Sequence, residues 1–217
     1  MLEKITGHDD LIALDASQRD QLCGEIRSFL VQHIAKTGGH LASNLGVVEL
    51  TVAIETVFDT NTDRLVFDVG HQSYVHKLLT GRQADFGRLR QFGGMAGFPK
   101  PGESVTDAFV AGHASSSVSI ALGMARARTL QKEDYHVVTV IGDGATTGGM
   151  AFEGLNNAGD LHKRMIVVLN DNEMSISKNI GGMNRLLTKL RLKNNYYKSN
   201  AFWKKVIGKI PLIGSCM

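Results

Sequence analysis

Two stretches of this chain are apolar without interruption and stop at polar triplets. Val137-Val138-Thr139-Val140-Ile141 runs into Gly142-Asp143-Gly144, and Met165-Ile166-Val167-Val168-Leu169 runs into Asn170-Asp171-Asn172. Short continuous runs rich in β-branched residues read as strands covered on both faces. Residues 148–160 between them read as helical, so strand, helix, strand predicts a right-handed βαβ unit in a parallel sheet. Leu65-Val66-Phe67-Asp68-Val69 is a third short buried strand, which stops at Gly70-His71. Ligands on sheets of this kind sit outside the carboxyl ends of the strands. Both polar triplets fall at that edge.

Elsewhere the pattern turns helical. Leu22, Ile26, Phe29, Leu30 and Ile34 predict an amphipathic helix over 17–36, with Ser17 and Asp20 resembling a capping box. Thr37-Gly38-Gly39-His40 ends it with a glycine turn. A second helix is expected over 47–58, with Ser43 or Asn44 near its cap. A third is expected over 115–130, where Ala121, Gly123, Ala125 and Ala127 permit close packing on a neighbour. Residues 81–112 read as loop, with Gly93-Gly94 and Gly97-Phe98-Pro99-Lys100-Pro101-Gly102. After residue 183 the pattern is less regular, and Asn194-Asn195-Tyr196-Tyr197 and Pro211 break any single helix. The fold class is α/β, a parallel sheet flanked by helices. Residues 1–183 form the main domain and 184–217 a basic segment.

Composition narrows the class. A chain of 217 residues with 43% hydrophobic and 21% charged residues can bury a sizeable core, which argues against disorder, collagen and coiled coil. No apolar run approaches the ~18 residues of a membrane span. The start, Met1-Leu2-Glu3-Lys4-Ile5, has no apolar signal region. Cys23 and Cys216 lie near opposite ends without metal-type spacing, which suits reduced thiols in a cytoplasmic protein. Twenty-four glycines against three prolines point to close backbone approaches and phosphate-type loops. Nine of the 24 Lys and Arg residues lie in 174–217, which holds no acid, so the rest carries 15 bases against 21 acids. A basic tail of this sort can bind nucleic acid or membrane. Residues 185–209 lack a recognisable motif or regularly interleaved aromatics, so a solvated segment whose acidic partner lies elsewhere is expected, with neither nucleic acid nor membrane as partner.

The triplets carry the chemistry. Asp143 and Asn172 each lie just past a strand, and neighbouring strands are about 4.8 Å apart. A carboxylate and an amide oxygen are hard ligands suited to Mg²⁺, Ca²⁺ or Mn²⁺. So sparse a shell points to a metal that borrows oxygens from a bound phosphate, hence Mg²⁺ bridging to a diphosphate. Glycines beside Asp143 let a phosphate approach the backbone, and the following helix start adds N–H donors. Either triplet alone reads as a turn; both, one crossover apart, read as a site.

The motifs also carry a resemblance. Thr37-Gly38-Gly39-His40-Leu41-Ala42-Ser43-Asn44-Leu45-Gly46, Asp68-Val69-Gly70-His71-Gln72, His76-Lys77, Leu79-Thr80-Gly81-Arg82, Gly142-Asp143-Gly144-Ala145 and Asn170-Asp171-Asn172-Glu173-Met174-Ser175-Ile176-Ser177 resemble the 1-deoxy-D-xylulose-5-phosphate synthase family of transketolase-like enzymes, collinearly to about residue 213. The resemblance implies the pyrophosphate-binding domain of thiamine diphosphate enzymes, truncated at its C-terminus. It implies thiamine diphosphate and Mg²⁺ as cofactors, and pyruvate and glyceraldehyde 3-phosphate as substrates joined with loss of CO₂. Asp143 and Asn172, with the Met174 carbonyl, would hold Mg²⁺. Gly144 and Ala145 would lie against the diphosphate, with His71, Gly112, His113, Ala114 and Asn172 also lining the cofactor. His40 would sit beside the reacting carbon as a proton-transfer or orienting group, work that suits an imidazole titrating near neutrality. His76 fits a structural role as well as a site role, and His33 and His162 read as structural.

Two positions depart from the family's pattern, which usually has serine at Ala114 and proline at Val75. The family's chain is about three times longer, so the pyrimidine-binding domain and its catalytic glutamate would have to come from elsewhere. The full-length family forms homodimers. Besides the N-terminal part of such an enzyme, one subunit of a split enzyme and a non-catalytic cofactor-binding remnant remain open. Phe202, Trp203 and Ile207 would then expose apolar surface for a partner.

Overall fold

A computed structural model describes residues 1–171 together with Gly182, Arg185 and Lys189. In chain order it contains α1 (His8–Ile12), α2 (Ala16–Thr37), α3 (Leu41–Leu45), α4 (Val48–Val57), β1 (Arg64–Phe67), α5 (Tyr74–Leu79), α6 (Ser117–Gln131), β2 (Val137–Gly142), α7 (Gly149–Leu161) and β3 (Ile166–Asn170). The strands form a parallel sheet in the order β1-β2-β3. Phe67 pairs with Val140 and Gly142 with Asn170, so Asp68, Asp143 and Asp171 all emerge at the carboxyl edge. The ladder continues one step past each pairing: the Asp68 amide donates to Val140 O at 2.8 Å and the Asp143 amide to Asn170 O at 3.1 Å.

Alternation along β2 explains the layers, because successive side chains point to opposite faces. Val138 and Val140 join Leu65, Phe67 and Ile54 on one face, under α4. Val137 packs with Ala121 and Ala125, and Ile141 with Val118 and Ala151, on the face covered by α6 and α7. Of the small residues expected to pack closely, Ala121 and Ala125 are buried and Gly123 is exposed. A separate cluster joins Leu22, Ile26, Leu30 and Ile34 of α2 with Tyr74, Leu78 and Leu79 of α5.

The sequence places the sheet strands and the α2, α4, α6 and α7 helices within a residue or two. Its capping assignments need correction. Asp15 caps α2, accepting from the Gln18 amide at 2.8 Å while the Gln18 side chain accepts from the Asp15 amide at 2.9 Å. That box needs an acceptor at the cap and Gln or Glu three residues on, a spacing that Asp15 and Gln18 supply before the first turn. Val47, not Ser43 or Asn44, precedes α4, because 41–45 form a helix of their own. The loop-rich 81–112 segment holds a 3₁₀ turn over Gln83–Arg88. His33 accepts its expected structural role, with Nδ1 2.9 Å from Phe29 O, and His162 ends α7 in a left-handed conformation. Cys23 is buried with a free thiol. Apart from Arg185 and Lys189, the basic segment lies outside the described residues, and so do Phe202, Trp203, Ile207 and Cys216.

Helix α5 is buried along all six residues, Lys77 included. Its polar side chains are held by an ion network. His76 Nδ1 is 2.5 Å from Glu55 Oε1, and His76 Nε2 is 3.0 Å from Asp107 Oδ1. Arg82 donates to both Asp107 oxygens at 2.8 and 2.9 Å, and Lys77 donates to Glu103 at 2.7 Å. The same two acids accept the backbone amides of Lys100 and Ala96, each at 2.7 Å, which fastens the 96–107 loop to α5. His76 is thus a structural residue.

Candidate functional site

His40 and His71 come from separate loops and meet. His40 precedes α3 and is exposed; His71 follows β1 and is half-buried. Their ring centroids are 5.4 Å apart at 69°, and Phe98 stacks over His40 at 6.3 Å. Glycines make the approach possible. Gly70 has φ +99°, and a Cβ there would lie 2.8 Å from Pro99 Cδ. Gly39 has φ +144°, and a Cβ there would lie 2.9 Å from the Tyr74 hydroxyl.

Buried Asp68 links this pair to the rest of the sheet edge. Its two oxygens accept the Ser115 amide at 2.8 Å and the Ser117 amide at 3.0 Å. These bonds hold the 112–117 loop, with Gly112, His113 and Ala114 exposed on it, against the end of β1. The Ser115 hydroxyl then donates to Ala145 O at 2.7 Å, joining that loop to the turn after β2. In this turn Asp143 is buried, and its carbonyl accepts from Thr146 Oγ1 at 2.6 Å. Gly144 and Ala145 are half-buried beside it. His40 with His71, the 112–114 backbone, and Asp143 with Gly144 and Ala145 therefore belong to one connected edge. Asn172 and Met174 lie outside the described residues.

Burial holds both imidazoles below the ordinary histidine value. For His40 the Arg90 charge adds to burial; for His71 the neighbouring His40 adds to it while Asp68 opposes. Both rings are therefore biased towards the neutral form, able to accept or relay a proton. His71 Nδ1 is buried and finds no hydrogen-bond partner among the described residues. A Cβ placed at Gly112 or Gly142 would meet nothing within 4 Å, so the loops leave open space. An orphaned ring nitrogen, a buried hard-donor carboxylate and open glycine faces fit a polar, anionic, metal-bridged ligand. Among the described residues no three His, Cys, Asp or Glu side chains cluster as a metal site, so any ion here would need oxygens from elsewhere.

Comparison with known proteins identifies the family. A sequence profile described as 1-deoxy-D-xylulose-5-phosphate synthase matches residues 2–216. The chain belongs to the 1-deoxy-D-xylulose-5-phosphate synthase family. It is 54% identical to the synthase of Clostridium kluyveri over 217 residues, all of this chain and 35% of that protein. It is 55% identical to the synthase of Pelotomaculum thermopropionicum over 217 residues, again all of this chain and 34% of the relative. The synthase of Listeria innocua is 50% identical over 213 residues, 98% of this chain and 34% of its own. The chain thus spans about a third of the length of the curated relatives it matches, and corresponds to their N-terminal portion. No helix among the described residues is long and apolar enough to cross a membrane.

Within this synthase-family chain, several supporting residues escape sequence reasoning. Asn44, Tyr74, Asp68 and Ser115 join the candidate residues to one another, and Phe98 covers His40. Asp68 carried a usable signal, since it follows an apolar strand as Asp143 does. Ala114 is exposed, and neighbouring Ser115 supplies the hydroxyl that bridges to Ala145. Val75 is buried in the first turn of α5, where proline is also compatible with a helix.

Proposed function

We propose that this chain is the N-terminal part of an enzyme that condenses pyruvate with glyceraldehyde 3-phosphate, with loss of CO₂, using thiamine diphosphate and Mg²⁺. The observation behind this reading is that His40, His71 and Asp143 share one connected sheet edge in a chain of this family. The product would serve isoprenoid, thiamine and pyridoxal synthesis in the cytoplasm.

The residues divide the work. Asp143, with Asn172 and the Met174 carbonyl, would hold Mg²⁺. Gly144 and Ala145 would lie against the diphosphate, and His71, Gly112, His113 and Ala114 would line the cofactor. When bound, the cofactor supplies the carbanion chemistry, and the protein supplies orientation and proton transfer. His40, exposed on its loop and biased towards neutrality, would accept or return a proton at the substrate. Residues 1–183 would form the pyrophosphate-binding domain and 184–217 a basic segment leading to the pyrimidine-binding domain, which would be supplied in the same chain or another. The working assembly would be a homodimer, and the 217 residues alone would not turn over substrate.

Calorimetric titration of the chain with thiamine diphosphate and Mg²⁺ tests the site. Binding should require Mg²⁺ and weaken at least ~10-fold in Asp143→Ala, the lower end of what losing even an outer-shell partner costs a metal site. Equal affinity in the variant, or binding indifferent to Mg²⁺, would refute the role of Asp143.

A further inference from the structure

Asn44 belongs to no assigned site and is fully buried in α3. Its side-chain amide uses both of its N–H donors and its oxygen acceptor. Nδ2 donates to His40 O at 2.7 Å and to His71 O at 2.8 Å, and Oδ1 accepts the Tyr74 amide at 2.9 Å. One side chain thus grips both histidine loops and the first residue of α5. The His40 backbone is held from its other side too, since its amide donates to the Tyr74 hydroxyl at 3.5 Å. His71 is similarly bracketed, because Gly70 packs on Phe98 and Pro99.

We propose that Asn44 is a positioning residue that couples the His40 and His71 loops, fixing the separation of the backbones that carry the two rings. Its use in catalysis rests on the function proposed above, whereas the coupling is a property of this chain alone. A buried primary amide suits the task. It can donate to two carbonyls from one nitrogen, which serine, aspartate or leucine at this position cannot do. With the carbonyls of His40 and His71 fixed to a common atom, the rings can turn about their own side-chain bonds but the loops cannot part.

The consequence is electrostatic. Rings 5.4 Å apart repel when both are charged, and even in bulk water this separates their titrations by about half a pH unit. The other ionisable groups facing the pair are Arg90, which disfavours the charged His40, Asp68, which favours the charged His71, and the Tyr74 hydroxyl behind His40.

The test is an NMR pH titration of the His40 and His71 ring protons in the 217-residue chain, with Asn44→Ala and Asn44→Leu as variants that add no charge. In the parent each ring should report two inflections, its own and its neighbour's. In the variants each should report one, and His71 should titrate at higher pH as its loop loosens and hydrates. Amide signals of β2 and α6 serve as the fold control. Unchanged two-inflection curves in folded variants would overturn the proposal. Loss of the whole amide spectrum in both variants would overturn it as well, since Asn44 would then be holding the core rather than the histidines. Failure of cofactor binding would count against the proposed function and leave these curves untouched.

Discussion

Asp107→Asn is the substitution that most directly tests how this edge is supported. Asp107 lies at the centre of a buried network with three acids, Glu55, Glu103 and Asp107, and three bases, His76, Lys77 and Arg82. The charges balance only when His76 is an imidazolium. Asp107 accepts from His76 at 3.0 Å, from Arg82 at 2.8 and 2.9 Å and from the Lys100 amide at 2.7 Å, and Lys77 Nζ lies 3.8 Å away. Asparagine keeps the shape but removes the charge and turns one acceptor into a donor. It leaves one excess positive charge among groups shielded from water, which costs about 3–5 kcal/mol. For a chain of this size each kcal/mol lowers Tm by about 2–4 °C, so a fall of roughly 6–20 °C is expected in a circular-dichroism melt. The double change Asp107→Leu with Arg82→Met removes both partners, and should cost less than the sum of its single changes because no orphaned charge remains. A fall below about 2 °C for Asp107→Asn, or additive single changes, would show that the network does not carry the charge balance assigned to it.

The same network predicts a pH dependence. Burial works against the charged form of His76, yet the Glu55 carboxylate and the bond to Asp107 hold it above the ordinary histidine value. Its stabilisation is therefore complete below the unfolded value and disappears as pH rises through the folded one. Burial likewise opposes the Asp107 carboxylate, but His76 and Arg82 hold it well below the usual range, so its contribution is present above that range and is lost only in strong acid. Melts between about pH 5 and about pH 9 should show an alkaline decline in the parent that His76→Gln abolishes, and persistence of the decline in that variant would refute the assignment. The glycines give a paired prediction. Gly70→Ala must hold a strained φ and push into Pro99, so it should lose at least ~1–3 kcal/mol. Gly123→Ala, exposed in α6 with nothing within 4 Å of its new Cβ, should gain ~0.5–1 kcal/mol. Urea denaturation of both variants checks the pair, and a neutral Gly70→Ala would contradict the close approach.

The sheet was legible because β2 and β3 are apolar runs whose ends are marked by polar triplets, and α2 because its apolar residues recur at helical spacing. Helix α5 was not legible. Its six residues are all buried, so Tyr74-Val75-His76-Lys77-Leu78-Leu79 has no polar face to set a period. The residues that make these charges tolerable, Glu55 and Asp107, are 21 and 31 positions away from His76.

The candidate site divides along the same line. Asp143, His40 and His71 announce themselves beside glycines in loops, where a polar side chain is conspicuous. Their supports are buried polar groups whose partners come from other elements. Asn44 resembles a helix cap until the carbonyl of His71, 27 residues on, is placed beside it. Asp68 resembles the end of a strand until the amides of Ser115 and Ser117 arrive from 47 and 49 residues away. Single-sequence reasoning detects residues that local geometry leaves exposed to a ligand. It misses residues whose polarity is satisfied at long range, because unsatisfied burial would be too costly for them to exist without those partners. In this chain a polar residue inside an apolar segment, as at Asn44, His76 and Lys77, is therefore the better sign of a support that fixes the site, and a polar residue beside glycine the better sign of a group that meets the ligand.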